Sequence, residues 1–199
     1  MIYINQLDYP HWLFVTKTGM EDAEQRENGK TTTVSSSGCG LCSAIMVADR
    51  LLPNCTFDLT AAIDLAYSVK ANHRPGTDYT LFAPAFAEKM GFSLEMTNDV
   101  DALCACLRTG GAAVINVGGD YEGHIGLFSH VGHYIAAIGM EPDGRIAILD
   151  PAYEVGRYEE EGRKGKVEMK NDFVCLCDPQ LLVADTATRD PGFYLFWRA

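Results

Sequence analysis

The sequence predicts an α+β fold, and three observations carry that prediction. Segments with helical apolar spacing come first and strand-like runs come later, an order that segregates helices from an antiparallel sheet. The 199 residues suit one domain, spanning 1–199, with a sizeable core. Apolar residues make up 47%, which places the chain among globular rather than disordered sequences.

Residues 2–16 mix Ile2, Ile4, Leu7, Trp12, Leu13 and Phe14 and read as a short strand or extended entry. Residues 17–38 are polar, with Glu21, Asp22, Glu24 and Glu27 ahead of a Thr/Ser run, and read as a long surface loop. From about Gly40 to Leu52 the spacing of Leu41, Ala44, Ile45, Ala48 and Leu51 predicts a helix stopped by Pro53. Thr56 is the expected N-cap of a second helix carrying Leu59, Ala62, Ile63 and Ala66 on one face. Arg74-Pro75-Gly76-Thr77 reads as a turn, Thr80 to Met90 as a helix closed by Gly91, and Phe92 to Met96 as a strand. Asp99 to Arg108 is a fourth helix ended by Gly110-Gly111.

The pattern then changes period. Ala112 to Val117 is a buried strand, and 118–132 a loop rich in glycine and histidine. His133 to Met140 and Arg145 to Leu149 flank the turn Glu141-Pro142-Asp143-Gly144. Tyr153 to Lys170 reads as a charged loop whose Glu159-Glu160-Glu161 is a solvated patch. Phe173–Cys177 and Phe193–Trp197 read as closing strands.

Lys and Arg number 16 and Asp and Glu 27, for a net charge of −11. That sign argues against nucleic acid and anionic lipid as partners. No run approaches a membrane span and nothing resembles a signal peptide. Seven cysteines, an odd number with three close pairs, argue against a disulfide framework and for a reducing cytoplasm.

The chemistry centres on Cys39, in Ser37-Gly38-Cys39-Gly40-Leu41-Cys42-Ser43-Ala44-Ile45-Met46-Val47. A cysteine at the amino end of a buried helix meets unpaired N–H groups and the positive end of the helix dipole, which favour the thiolate. A nucleophilic thiolate needs a base, a group that orients the base, and donors for the oxyanion. His133 opens one strand of the expected hairpin and Asp150 closes the other, at nearly equal distances from the turn, so pairing brings them to one end. Asp120 is a competing orienter in the loop, while His124 and His130 read as surface or substrate-contacting groups. Other readings stand beside this one. A cysteine in an apolar helix is ordinarily a small core residue. Cys39-x-x-Cys42 is also half of a possible metal site, with Cys104-x-Cys106, Cys175-x-Cys177, His124, His130 or His133 as partners. Neither a metal nor another cofactor is expected.

Three of these segments resemble the bacteriocin-leader-processing branch of the papain-like cysteine peptidases, including its stand-alone members without a transporter. They are the Cys39 segment, Gly132-His133-Tyr134-Ile135-Ala136-Ala137-Ile138-Gly139, and Asp143-Gly144-Arg145-Ile146-Ala147-Ile148-Leu149-Asp150-Pro151. Tyr3-Ile4-Asn5-Gln6 is similar to the family's entry, whose glutamine helps form the oxyanion hole. The resemblance implies a papain-like fold, a helical amino half against an antiparallel carboxy sheet, with Cys39, His133 and Asp150 as triad and Gln6 as oxyanion donor. It implies hydrolysis of peptide bonds in a peptide or protein substrate. An acyltransferase or amidase on the same fold and a non-catalytic peptide-binding relative are the alternatives. Gln6 lies 33 positions before Cys39, farther than is usual in the family, and Gln25 is the alternative donor.

Overall fold

The computed structural model describes residues 1–14, 33–73 and 76–199. Gln25, the Arg74-Pro75 part of the expected turn and most of the polar stretch lie outside the described residues.

The entry forms no strand among its described residues. Asn5 caps a 3₁₀ turn, Gln6–Asp8, its side chain accepting the Leu7 N–H at 2.9 Å. A side chain that satisfies the backbone locally in this way competes with strand pairing. The chain returns at Thr33, bridged antiparallel to Leu13, and the Val34 N–H donates to the Trp12 carbonyl at 2.8 Å. A short helix α1 (Val34–Ser37) then leads through Gly38 into α2 (Cys39–Leu51). Gly38 is needed for close approach: a Cβ there would stand 2.6 Å from the Val34 carbonyl oxygen.

Helix α3 (Leu59–Ser68) is capped by Asp58, not Thr56, with the Asp58 carboxylate accepting the Ala61 N–H at 2.9 Å. An anion at a helix start gains from the dipole as well as the hydrogen bond. Strands β1 (Asn72–His73) and β2 (Gly76–Thr77) pair antiparallel, and α4 (Tyr79–Met90) ends at a left-handed Gly91. Strand β3 (Phe92–Thr97) and helix α5 (Val100–Arg108, capped by Asp99) complete the first half.

The second half supplies β4 (Ala112–Val117), β5 (His133–Met140), β6 (Ile146–Leu149), β7 (Val167–Met169), β8 (Val174–Cys177), α6 (Pro179–Asp185) and β9 (Phe193–Arg198). Two departures from the sequence reading stand out. The charged loop contains β7 and a 3₁₀ turn, Arg157–Glu159. Helix α6 was not foreseen, although Asp178-Pro179 carries its signal: the Asp178 carboxylate caps the Gln180 N–H at 2.8 Å and proline occupies the first turn.

Seven strands form one antiparallel sheet in the order β3-β9-β4-β5-β6-β8-β7. The fold is therefore α+β with an antiparallel sheet. Alternation along the strands sorts the core in two. Val114, Ala136, Leu149, Leu176 and Tyr194 face α2, α3 and α4. Ile115, Ile135, Ala137, Ile148, Cys175 and Leu195 face the opposite layer, which includes α5 and Leu182 of α6. Helices thus cover both faces, rather than standing wholly in the amino half. No helix among the described residues is long and apolar enough to cross a membrane.

Helix α2 is buried all round, with eleven of its thirteen residues in the interior, as a central core helix should be. Two polar bonds set its height along β5. The Ser43 hydroxyl donates to the Tyr134 carbonyl at 3.2 Å, and Arg50 Nε donates to the Ile138 carbonyl at 2.7 Å. One helical turn back from Ser43 lies Cys39, and one residue back from Tyr134 lies His133. The helix start and the strand start therefore coincide.

Candidate active site

Cys39, His133, Asp150 and Gln6 are all nearly buried, and Cys39, His133 and Gln6 line one cleft of about 590 Å³. The sheet register explains the histidine and the aspartate. Ala136 pairs with Leu149 and Ala137 with Ile148. Continuing that register sets Ile135 opposite Asp150, two residues from His133, so the two polar side chains share a face as diagonal neighbours. His133 Nε2 lies 2.8 Å from Asp150 Oδ1. That leaves Nδ1 for the Cys39 sulfur, which stands close enough for thiol and ring to shift each other's titration.

Asp150 is held from several sides. Its Oδ1 also accepts the Ala152 N–H at 2.8 Å, and its Oδ2 accepts the Tyr158 hydroxyl at 2.8 Å. The Arg157 guanidinium stands 3.8 Å from Oδ2, and the Tyr3 hydroxyl donates to the Asp150 main-chain carbonyl at 2.9 Å. Tyr158 and Arg157 were missed in the sequence, because the 3₁₀ turn that delivers them lies in a stretch that reads as solvated. Removing the Tyr158 hydroxyl leaves a buried carboxylate oxygen short of its donor. Tyr158→Phe is expected to cost about 1–3 kcal/mol of stability, read from the urea midpoint.

Charges at the site are coupled. Burial alone pushes the Cys39 thiol up, but the His133 hydrogen bond and charge, with the Tyr134 and Gly40 amides, hold it below its ordinary value. Burial opposes charging of His133, and the Asp150 carboxylate and Cys39 prevail, pushing it up to about 10. Burial likewise disfavours ionised Asp150, and His133 with the Ala152 amide keeps it below the usual carboxylate range. The favoured state is thiolate, imidazolium and carboxylate in line. Cys42, by contrast, is pushed up by burial and by the Cys39 charge.

Gln6 reaches the site because the bridge at Leu13 and Thr33 closes the intervening excursion. Its N–H donates to the Pro151 carbonyl at 2.7 Å and its side-chain Nε2 to the Ser35 carbonyl at 2.7 Å. One amide hydrogen remains on Nε2. Gln6 Oε1 is buried without a partner among the described residues, as is Thr77 Oγ1 on the facing wall of the cleft.

The rival assignments fall elsewhere. Asp120 accepts the Gly126 N–H at 2.8 Å and pairs with His130 Nδ1 at 2.9 Å, so it braces its own loop instead of orienting His133. His124 is not a plain surface group: its Nε2 lies 2.8 Å from Oδ1 of the buried Asp185, tying the glycine-rich loop to the end of α6. Cys42 packs in the core on one face of the sheet, whereas Cys104, Cys106, Cys175 and Cys177 pack on the other. The sheet stands between them, and those four do not complete a metal site with Cys39-x-x-Cys42.

Compared with known proteins, the chain matches no protein-family model and no curated protein.

Proposed function

We propose that the protein is a papain-like cysteine peptidase, of the kind that resembles the stand-alone bacteriocin-leader-processing enzymes. One observation carries the reading: a thiol at the start of a buried helix, beside a histidine whose Nε2 meets a buried carboxylate, with thiol and histidine on the wall of one cleft. In this mechanism Cys39 attacks the carbonyl carbon as thiolate, and the negative charge moves to the carbonyl oxygen. His133 then gives its proton to the departing amine, leaving a thioester on Cys39. Water, deprotonated by His133, releases the acid and restores the thiol. Asp150 keeps Nδ1 of the ring aimed at sulfur.

The oxyanion needs fixed donors. The Cys39 N–H at the helix start supplies one, and the second hydrogen of Gln6 Nε2 the other. Gln6→Ala is expected to lower kcat by about 10²–10³-fold, the scale of one lost oxyanion donor. The same change removes the bond to Ser35 and costs about 1 kcal/mol of stability. Unimpaired turnover in Gln6→Ala would end this assignment.

The function itself is tested by incubating the protein with a varied synthetic peptide pool and following cleavage by mass spectrometry, with and without hydroxylamine. Hydrolysis products that vanish in Cys39→Ala support a peptidase. Hydroxamates in place of acids would point to acyl transfer, and an inert Cys39 to a binding domain.

A further inference from the structure

Arg189 sets its guanidinium on the cleft beside His133. It follows α6 in the segment that leads into β9. Its Nε donates to the Val117 carbonyl at 3.3 Å and its Nη2 to the Gly118 carbonyl at 3.2 Å. The same group lies over Gly132, where a Cβ would stand 2.3 Å from Nη2. Glycine immediately before His133 thus makes room for the arginine. The two carbonyls fix one edge of the fork and use two of its five N–H groups. Two on Nη1 and one on Nη2 remain.

Among the described residues no carboxylate pairs with this cation. Arg157, on the same cleft, is matched by Glu154 at 3.0 Å and stands 3.8 Å from Asp150. The adjacent Asp190 is engaged with the Asn98 amide at 3.0 Å. In a chain of net charge −11, an acid-free arginine fixed beside the candidate histidine stands out.

We infer that Arg189 recognises a carboxylate on the leaving-group side of the substrate, at the residue after the scissile bond. The inference rests on the peptidase reading. His133 hands its proton to the departing amine, so the amine portion lies along the histidine wall. Arg189 is the fixed cation on that wall. The free end of its fork, Nη1 with the second Nη2 hydrogen, fits the two oxygens of a carboxylate. That carboxylate belongs either to an Asp or Glu side chain or to a free chain end one residue past the cut.

The test uses a synthetic peptide pool varied at every position, each member made with a free and with an amidated carboxy terminus. Wild type, Cys39→Ala, Arg189→Gln and Arg189→Lys are compared by mass spectrometry of the cuts. Wild type is expected to favour Asp or Glu over Asn or Gln after the cut, or free over amidated ends, by about 10–100-fold, the scale of a hydrogen bond to a charged group. The first preference identifies the side chain as the source and the second the chain end. Arg189→Gln is expected to bring the ratio near one, and Arg189→Lys to retain part of it. A ratio within one sample does not depend on how much of a variant folds, so loop damage alone leaves it unmoved. Cuts that need Cys39 but show no carboxylate preference overturn the inference and leave the peptidase reading intact, as does a preference that survives in Arg189→Gln. The absence of any Cys39-dependent cut removes the peptidase reading and the inference together.

Discussion

Cys39→Ala is expected to abolish peptide cleavage, with kcat falling about 10⁴-fold or more while the far-ultraviolet spectrum stays that of the wild type. The size follows from how nucleophile, base and orienter act as a unit: deleting one member forfeits nearly all that the set supplies. The structure adds a direct chemical readout. A brief iodoacetamide pulse at pH 7, mapped by mass spectrometry, is expected to mark Cys39 ahead of the other six cysteines. Five of those six are buried and pushed up in pKa, and Cys55 is only half-exposed. Equal marking of Cys39 and Cys55 would count against an activated thiol.

His133→Ala is expected to rival that loss in turnover and to change the pH dependence of labelling. With His133 present, the Cys39 thiol lies below its ordinary value, so alkylation stays fast as pH drops below the usual thiol range. A free cysteine, with a pKa of about 8.5, slows about tenfold per pH unit there. Without the histidine, burial is opposed only by the Tyr134 and Gly40 amides, and Cys39 is expected to label at more alkaline pH than in the wild type. Stability carries the same signature with two limbs. Asp150 has a depressed folded value, so its contribution is present above about pH 3.9 and is lost as pH falls through the folded value. His133 is raised to about 10, so its contribution is complete below about pH 6.5 and is lost as pH rises through about 10. Cys39 is held below its ordinary value, so its contribution is complete above about pH 8.5 and is lost as pH falls through the folded value. The urea midpoint is therefore expected to be highest between roughly pH 6.5 and 8.5, with both limbs flattened in His133→Ala. A midpoint unchanged by the substitution at pH 5 would show that the buried pair adds nothing to folding.

The three residues in line were legible in the sequence because each rests on a local rule. Cys39 follows glycine at a helix start, and the hairpin turn ties the spacing of His133 to that of Asp150. What was not legible depends on contacts between distant segments. Nothing near Gln6 shows that Thr33 returns to Leu13. The charged surroundings of Arg157 and Tyr158 conceal that a turn folds them under Asp150. Strand β7 is only three residues long, too short for a periodic signal, and exists because β8 offers it a partner. Asp185, Arg189 and the loop they hold meet only after α6 has packed.

The order of strands has a consequence for how the protein is made. Strand β9, the last described, is not at the rim of the sheet: it lies between β3 and β4 and pairs with both. Until a ribosome has delivered Phe193–Arg198, β3 has no hydrogen-bonded tie to the other strands. Phe193 and Leu195 are absent from one core, and Tyr194 and Phe196 from the other. A nascent chain that already displays its thiol therefore still lacks a finished scaffold, and completion waits on contacts distant in sequence. Clipping the final strand strikes the centre of the molecule instead of trimming its edge. On the proposed peptidase reading, the protein stays inert until Phe193–Arg198 has been made and has slotted between β3 and β4.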